Sequence, residues 1–258
     1  MTIHGIVKAR NEAHIIKDTL DNWSQVCDRI HVYDDHSEDD TPDICRRHPQ
    51  VVEVITSNLL DPDRQRSEWF NRQILLASAK RFMAPEDWVV YFDADEHIYD
   101  WDPGSLLETD ADAVAFRSFD TYITPEDACL PAREYAQRRW VGPEWEVCIY
   151  FYRNFPTLRF HLPDQRHMTI GMGRPAKVHV TDRILHWGQG ISVDAFEKKV
   201  DYYTGPFGDK YRAKWEKRRG KAVQEDMKSR YGNPLVAWED VRAGRAETVK
   251  AHGLEMVK

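Results

Sequence analysis

The stretch Trp88-Val89-Val90-Tyr91-Phe92-Asp93-Ala94-Asp95-Glu96-His97 (WVVYFDADEH) decides how this chain is read. Five residues of strand-forming type run into three carboxylates and an imidazole. Side chains of an extended segment alternate, so Asp93 and Asp95 point to the same side. Like charges at that spacing repel, and each needs its own solvation. Either water solvates them or a cation does. Two adjacent carboxylates suit a hard divalent ion with oxygen ligands, Mg²⁺ or Mn²⁺, which keeps open positions for water and substrate phosphates. An acid-rich turn closing a strand is the plainer alternative.

Upstream, the pattern repeats three times. Ile3 to Ala9 (IHGIVKA) reads as a buried strand, and Ile16, Leu20 and Trp23 then fall on one helical face. Asn11 is a candidate N-cap for that helix, with Glu12 in its first turn. RIHVYDDHS is a second strand ending in acids, followed by Thr41-Pro42 as cap and first helical position. VVEVITS is a third strand, and Phe70, Ile74 and Ala77 mark the next helix. Strand and helix alternate as in a mostly parallel, doubly wound sheet, which binds ligands beyond the carboxyl ends of its strands. Those ends carry KARNE, YDDHSEDD and FDADEH, so the polar chemistry gathers on one edge.

Beyond residue 110 the rhythm changes. AVAFRSF, EVCIYFYRN, TLRFHL and AKVHV…RILHW read as strands without intervening helices, a small antiparallel portion. Ser192 is placed to cap a helix that presents Phe196, Val200 and Tyr203 on one face, and the last fifty residues read as a polar, helical C-terminal tail.

The 258 residues carry a net charge of -7 and 31% charged residues, which argues against a nucleic-acid partner. No apolar run approaches the roughly 20 residues of a membrane span, and no secretory signal is visible at the N-terminus. Cys27, Cys45, Cys129 and Cys148 make no C-x-x-C pair, so a cytoplasmic setting is expected. One local exception to the acidic balance is DKYRAKWEKRRGK, residues 209–221, with seven Lys/Arg against two acids. It reads as a solvated helix face, as a lid over an anionic ligand, or as a peripheral membrane contact.

No G-x-x-x-x-G-K-[ST] and no G-x-G-x-x-G after the first strand is present, so phosphates would be held through a metal rather than a glycine-rich loop. GIVKARNEAHIIKDTLDNW, IHVYDDHSEDDTPDI and DWVVYFDADEHI, in that order, resemble family 2 type glycosyltransferases with the GT-A fold, closest to the branch with a DADE motif. The resemblance covers residues 3–100 and returns at RILHWGQGISVDAFEKKV. It implies an α/β, GT-A-like domain over residues 1–205, with a nucleotide and metal half of about 1–105, an acceptor half of about 106–205, and a helical extension over 206–258.

The resemblance also implies roles. Lys8, Ala9, Arg10 and Asn11 would lie along the nucleotide. Asp35 would contact the base with Asp34 beside it, Asp93 would face the ribose and metal, and Asp95 would bind the metal with His186 completing its shell. Asn71 matches a residue placed near the nucleotide. The arginine expected before it is replaced by Phe70, with Arg66 one turn earlier. Simpler roles compete: Asp34, Asp35, Ser37 and Asp39 can build an Asx-rich turn, and His186 between Leu185 and Trp187 can be a core histidine. Arg10 opposes the dipole of a following helix, a conflict that an anionic ligand would remove.

The implied activity is transfer of a hexose-like sugar from a nucleotide-diphosphate donor, UDP by default, to a glycan or other hydroxyl acceptor. Inversion is expected, and it needs a general base, for which Asp164 and Glu144 are the candidates. The alternative is a non-catalytic module that binds nucleotide sugar or glycan.

Overall fold

The computed structural model describes residues 1–57, 64–160, 168–169, 176–205 and 209–251. The N-terminal alternation forms β1 (Ile3–Ala9), α1 (Ile16–Trp23), β2 (Arg29–Asp34), α2 (Thr41–Arg47), β3 (Val51–Thr56), α3 (Arg64–Lys80) and β4 (Trp88–Asp93). Then follow β5 (Glu96–Ile98), α4 (Ser105–Glu108), β6 (Ala113–Thr121), a 3₁₀ turn (Ala132–Gln137), β7 (Trp140–Arg153), β8 (Arg159–Phe160), β9 (Met168–Thr169) and β10 (Val178–His186). The C-terminal part holds α5 (Val193–Thr204), α6 (Asp209–Glu216), β11 (Val236–Ala237), α7 (Trp238–Arg242) and β12 (Val249–Lys250). Among the described residues no helix is long and apolar enough to cross a membrane.

The class is α/β, with the alternation of strands and helices over the first hundred residues that the sequence predicts. The chain divides into two compact units, Met1–Phe116 with Val147–Arg183, and Arg117–Glu146 with the chain from Ile184 onward. This division runs through β6, β7 and β10, not at residues 105 or 205.

In the first unit the strand order is β3-β2-β1-β4-β7-β6-β10-β5. β1 pairs in parallel with β2 and β4, and β2 with β3. The parallel half ends at β4, whose other neighbour, β7, is antiparallel. On one face α3 covers Ile6, Tyr33, Val89 and Tyr91 with Leu75, Leu76 and Ala79. On the other, Trp23 of α1 stacks on Phe92 at 4.4 Å and 9°. Gly5 lets β1 run centrally, because a Cβ there would come within 3.0 Å of Cys27 Sγ and Phe92 Cε1.

Helix phase is set by packing. Ile16, Leu20 and Trp23 are buried as the 3.6-residue period requires. In α3 the register differs: Phe70 is 56% exposed and the buried face is Asn71, Arg72, Leu75, Leu76 and Ala79. Three apolar residues at helical spacing gave the helix but not its face, because Leu75 and Leu76 offer more apolar surface to the sheet. Asn11 is not an N-cap. α1 starts at Ile16 after Ile15, with no side-chain cap, and Asn11 takes a left-handed φ of 54°. Asparagine tolerates that conformation because its short amide bonds locally.

In the second unit Ser192 caps α5, its Oγ accepting the Ala195 N–H at 3.1 Å. Phe196 and Val200 pack with Trp215 of α6, Ile123 and Ala222. The polar C-terminal stretch is helical over α6 and α7, while β11 and β12 pair with the N-terminal half of β7.

Candidate nucleotide and metal site

Three parallel strands end side by side in the first unit. Their register sets Lys8 opposite both Tyr33 and Asp93, and Ala9 opposite Asp34. The loops after β1 and β2 are bonded to each other. Asn11 N–H donates to Ser37 Oγ at 2.9 Å, Glu38 N–H donates to Asn11 Oδ1 at 2.8 Å, and Glu12 N–H donates to Thr41 Oγ1 at 2.8 Å. Asn11 and His36, one in each loop, have left-handed backbones at φ 54° and 61°. Non-glycine residues held there cluster at functional sites.

The acids of YDDHS divide their work. Asp35 is engaged at both oxygens, by Lys8 Nζ at 3.0 Å and Asn71 Nδ2 at 3.1 Å. Asp34 is 1% exposed and neither carboxylate oxygen accepts a hydrogen bond. Buried carboxylates are otherwise paired, because desolvation without a partner costs several kcal/mol, on the order of a lost charged hydrogen bond or more. The Asx-turn duty falls to Asp39, whose Oδ1 accepts the Thr41 N–H at 3.0 Å. Arg10 is half-buried after β1, and Arg66 is exposed on the first turn of α3.

The acids after β4 divide as well. Glu96 is structural: its Oε1 accepts the Tyr150 hydroxyl at 2.8 Å, and its Oε2 accepts the Asp93 N–H at 2.9 Å. Thr19 donates to the Ala94 carbonyl at 2.6 Å and Trp23 Nε1 to the Glu96 carbonyl at 2.7 Å, so the turn is held rigidly against α1. His97 is part of that packing: it is buried, 3.2 Å from Thr19 Oγ1, and desolvation pushes its pKa down to about 4. Asp93 accepts the Tyr91 hydroxyl at 2.9 Å and stays half-buried, while Asp95 is buried.

Arg72 is the residue that the sequence reading missed. Its Nε donates to Tyr91 Oη at 3.1 Å and its Nη2 lies 3.6 Å from Glu68 Oε2. Desolvation opposes its charge, but Tyr91, Glu68 and Asp93 outweigh that and raise its pKa. Arg72 thus sets a buried guanidinium immediately after Asn71, a signal visible once the buried face of α3 is known.

His186 and Glu144 belong to the second unit. His186 Nδ1 lies 2.6 Å from Asp120 Oδ1, and Asp120 Oδ2 accepts from Gln189 Nε2 at 3.0 Å. Burial pushes the Asp120 carboxyl up, but His186, Arg230 and Arg218 outweigh it and hold it below the usual range. Glu144 is buried, with Oε1 accepting from Ser229 Oγ at 2.7 Å and Asn233 Nδ2 at 2.6 Å. Its Oε2 has no hydrogen-bond partner, and a Cβ at Gly142 would sit 2.6 Å from it. Asp164 lies outside the described residues.

Asp93 and Asp95 are hard oxygen donors, the chemistry that Mg²⁺ and Mn²⁺ take, and such ions commonly use one or two carboxylates plus substrate phosphates. Among the described residues no three His, Cys, Asp or Glu side chains form a metal shell. The first unit's candidates for such an ion are therefore that pair.

No family model matches the chain. It is 32% identical over 153 residues to uncharacterized proteins of Mycobacterium bovis and Mycobacterium tuberculosis, covering 58% of this chain and 33% of each relative. The chain thus spans about a third of the length of the curated relatives it matches. Among solved structures it is similar to glucosyl-3-phosphoglycerate synthase of M. tuberculosis with Mn²⁺, UDP and glucosyl-3-phosphoglycerate, at 22% identity and a TM-score of 0.31, over 52% of this chain and 48% of that one. The same enzyme with Mg²⁺ and UDP matches at 18% identity and a TM-score of 0.33, over 59% and 56%.

Proposed function

We propose that the chain is a metal-dependent glycosyltransferase that uses a nucleotide-diphosphate sugar, UDP-linked by default, and a hydroxyl-bearing acceptor. The observation that carries the reading is the buried, partnerless Asp34 carboxylate at the carboxyl end of β2, on the same sheet edge where β1 and β4 carry Lys8 and Asp93. Its unused acceptor capacity suits the N–H of a base or the hydroxyls of a ribose.

Lys8 and Arg10 supply positive charge beside the nucleotide, and Asp35 with Asn71 fixes where the Lys8 ammonium stands. Asp93 and Asp95 would hold the cation. A bound divalent ion supplies Lewis-acid neutralisation of the leaving diphosphate. Arg72 orients the Tyr91 hydroxyl that donates to Asp93, so it acts through that carboxylate. For an inverting transfer an acceptor hydroxyl must lose its proton. We assign that step to Glu144, whose Oε1 is anchored and whose Oε2 has no partner.

Calorimetric titration of UDP, GDP, CMP and ADP, each with Mn²⁺ and with chelator, tests the reading. One diphosphate should bind only with metal, and Asp95→Asn and Asp34→Asn should each weaken it at least tenfold, about 1.4 kcal/mol. Absence of binding by all four in the presence of metal would overturn it.

A further inference from the structure

The basic run at residues 209–221 places two cations, Lys214 and Arg218, that share Asp120 as a nearby acid. Lys214 lies in the last turn of α6 and Arg218 in the turn that follows it, and neither makes a side-chain hydrogen bond or close ion pair among the described residues. Like charges brought close together repel. Arg218 is held on a fixed platform: its guanidinium lies 4.7 Å from the Trp215 ring, and Trp215 is buried and stacks on Tyr203 at 4.5 Å and 4°.

A third cation faces them. Arg230 Nη2 lies 3.1 Å from Asp120 Oδ2, 3.1 Å from Glu146 Oε1 and 2.9 Å from the Tyr231 hydroxyl. Its remaining guanidinium N–H groups are not used in these bonds. The acids here are already committed, Asp120 to His186 and Gln189, and Glu146 to Tyr231. Partial desolvation and repulsion from Arg218 and Arg230 lower the pKa of Lys214 against the pull of Glu146 and Asp120, and desolvation and Arg230 lower that of Arg218 against the pull of Asp120. Three cations set against two carboxylates leave a local excess of positive charge.

We propose that Lys214, Arg218 and Arg230 bind a phosphate group carried by the acceptor substrate. The acceptor assignment rests on the glycosyltransferase reading; the phosphate site itself does not. A guanidinium fork fixed on an aromatic ring beside a second guanidinium matches a tetrahedral oxyanion, and the ammonium adds a mobile point charge. The same chemistry could come from a soluble phosphorylated compound or from a lipid headgroup.

The test uses the full chain without nucleotide or metal. Inorganic phosphate and glycerol 3-phosphate are titrated while the thermal midpoint and calorimetric heat are followed, in parallel with flotation on phosphatidylglycerol vesicles against phosphatidylcholine ones. Soluble phosphates should bind, and Lys214→Gln and Arg218→Gln should each weaken them about tenfold. Arg218→Lys should restore less than half of that loss, since it returns charge without the fork. Far-ultraviolet circular dichroism of each variant separates lost binding from lost folding. UDP binding with Mn²⁺ should be unchanged in both Gln variants, so this site and the nucleotide site fail independently. Binding only to anionic vesicles would assign the run to a membrane surface and overturn the proposal. No response to any phosphate, or one the variants leave intact, would overturn it too.

Discussion

Asp93, Asp95 and Glu96 look alike in the sequence and differ in what they touch. Glu96 accepts from Tyr150 and from the Asp93 backbone, so its charge is spent on holding the turn. Glu96→Gln turns one acceptor into a donor that faces another donor. It should cost about 1–3 kcal/mol, the penalty of an unsatisfied buried group, read as a lower urea midpoint at unchanged slope. Such division of labour was not legible in DADE itself, because Tyr150 is 54 positions away. The pair at Asp34 and Asp35 teaches the same lesson. Adjacent carboxylates have opposite situations because Lys8 and Asn71 reach only Asp35.

Among the elements, the parallel strands bury a histidine pair. His4 Nδ1 lies 3.3 Å from His31 Nε2, the rings stack at 5.6 Å, and desolvation pushes His31 down to about 4 and lowers His4. A histidine that is harder to protonate folded than unfolded binds fewer protons in the native state. Stability should therefore fall as pH drops below about 6.5, the unfolded value, and level off below about 4. The His31 contribution is on the order of 3 kcal/mol at most. Melts from pH 7.5 to 4.5 should show this slope, and His31→Leu should flatten part of it. The alternation of strands and helices, the phase of α1 and the Ser192 cap were all readable, since each depends on neighbours within one or two turns. The phase of α3 was not, because the sheet selects between two apolar faces on the same helix.

Across the whole molecule, each unit carries its own polar centre. Nucleotide with Mn²⁺ should slow hydrogen exchange in the Arg10–Asn11 and Ser37–Thr41 loops, while glycerol 3-phosphate should slow it near Arg218 and Arg230. Both probes protecting one common segment, and neither protecting its own, would contradict this assignment. The exchange experiment needs no activity assay, so it applies before any acceptor is known.

Local pattern alone determined the α/β class, the order of strands in the first hundred residues and the edge on which the acids collect. Side-chain periodicity and the carboxyl-end rule are properties of neighbouring residues and of backbone chirality. Tertiary structure decided which acid is structural, which is engaged and which is left without a partner, and where the cations of residues 209–221 converge. Those outcomes depend on Tyr150, Lys8, Asn71 and Arg230, brought from distant parts of the chain, and desolvation makes each such meeting count.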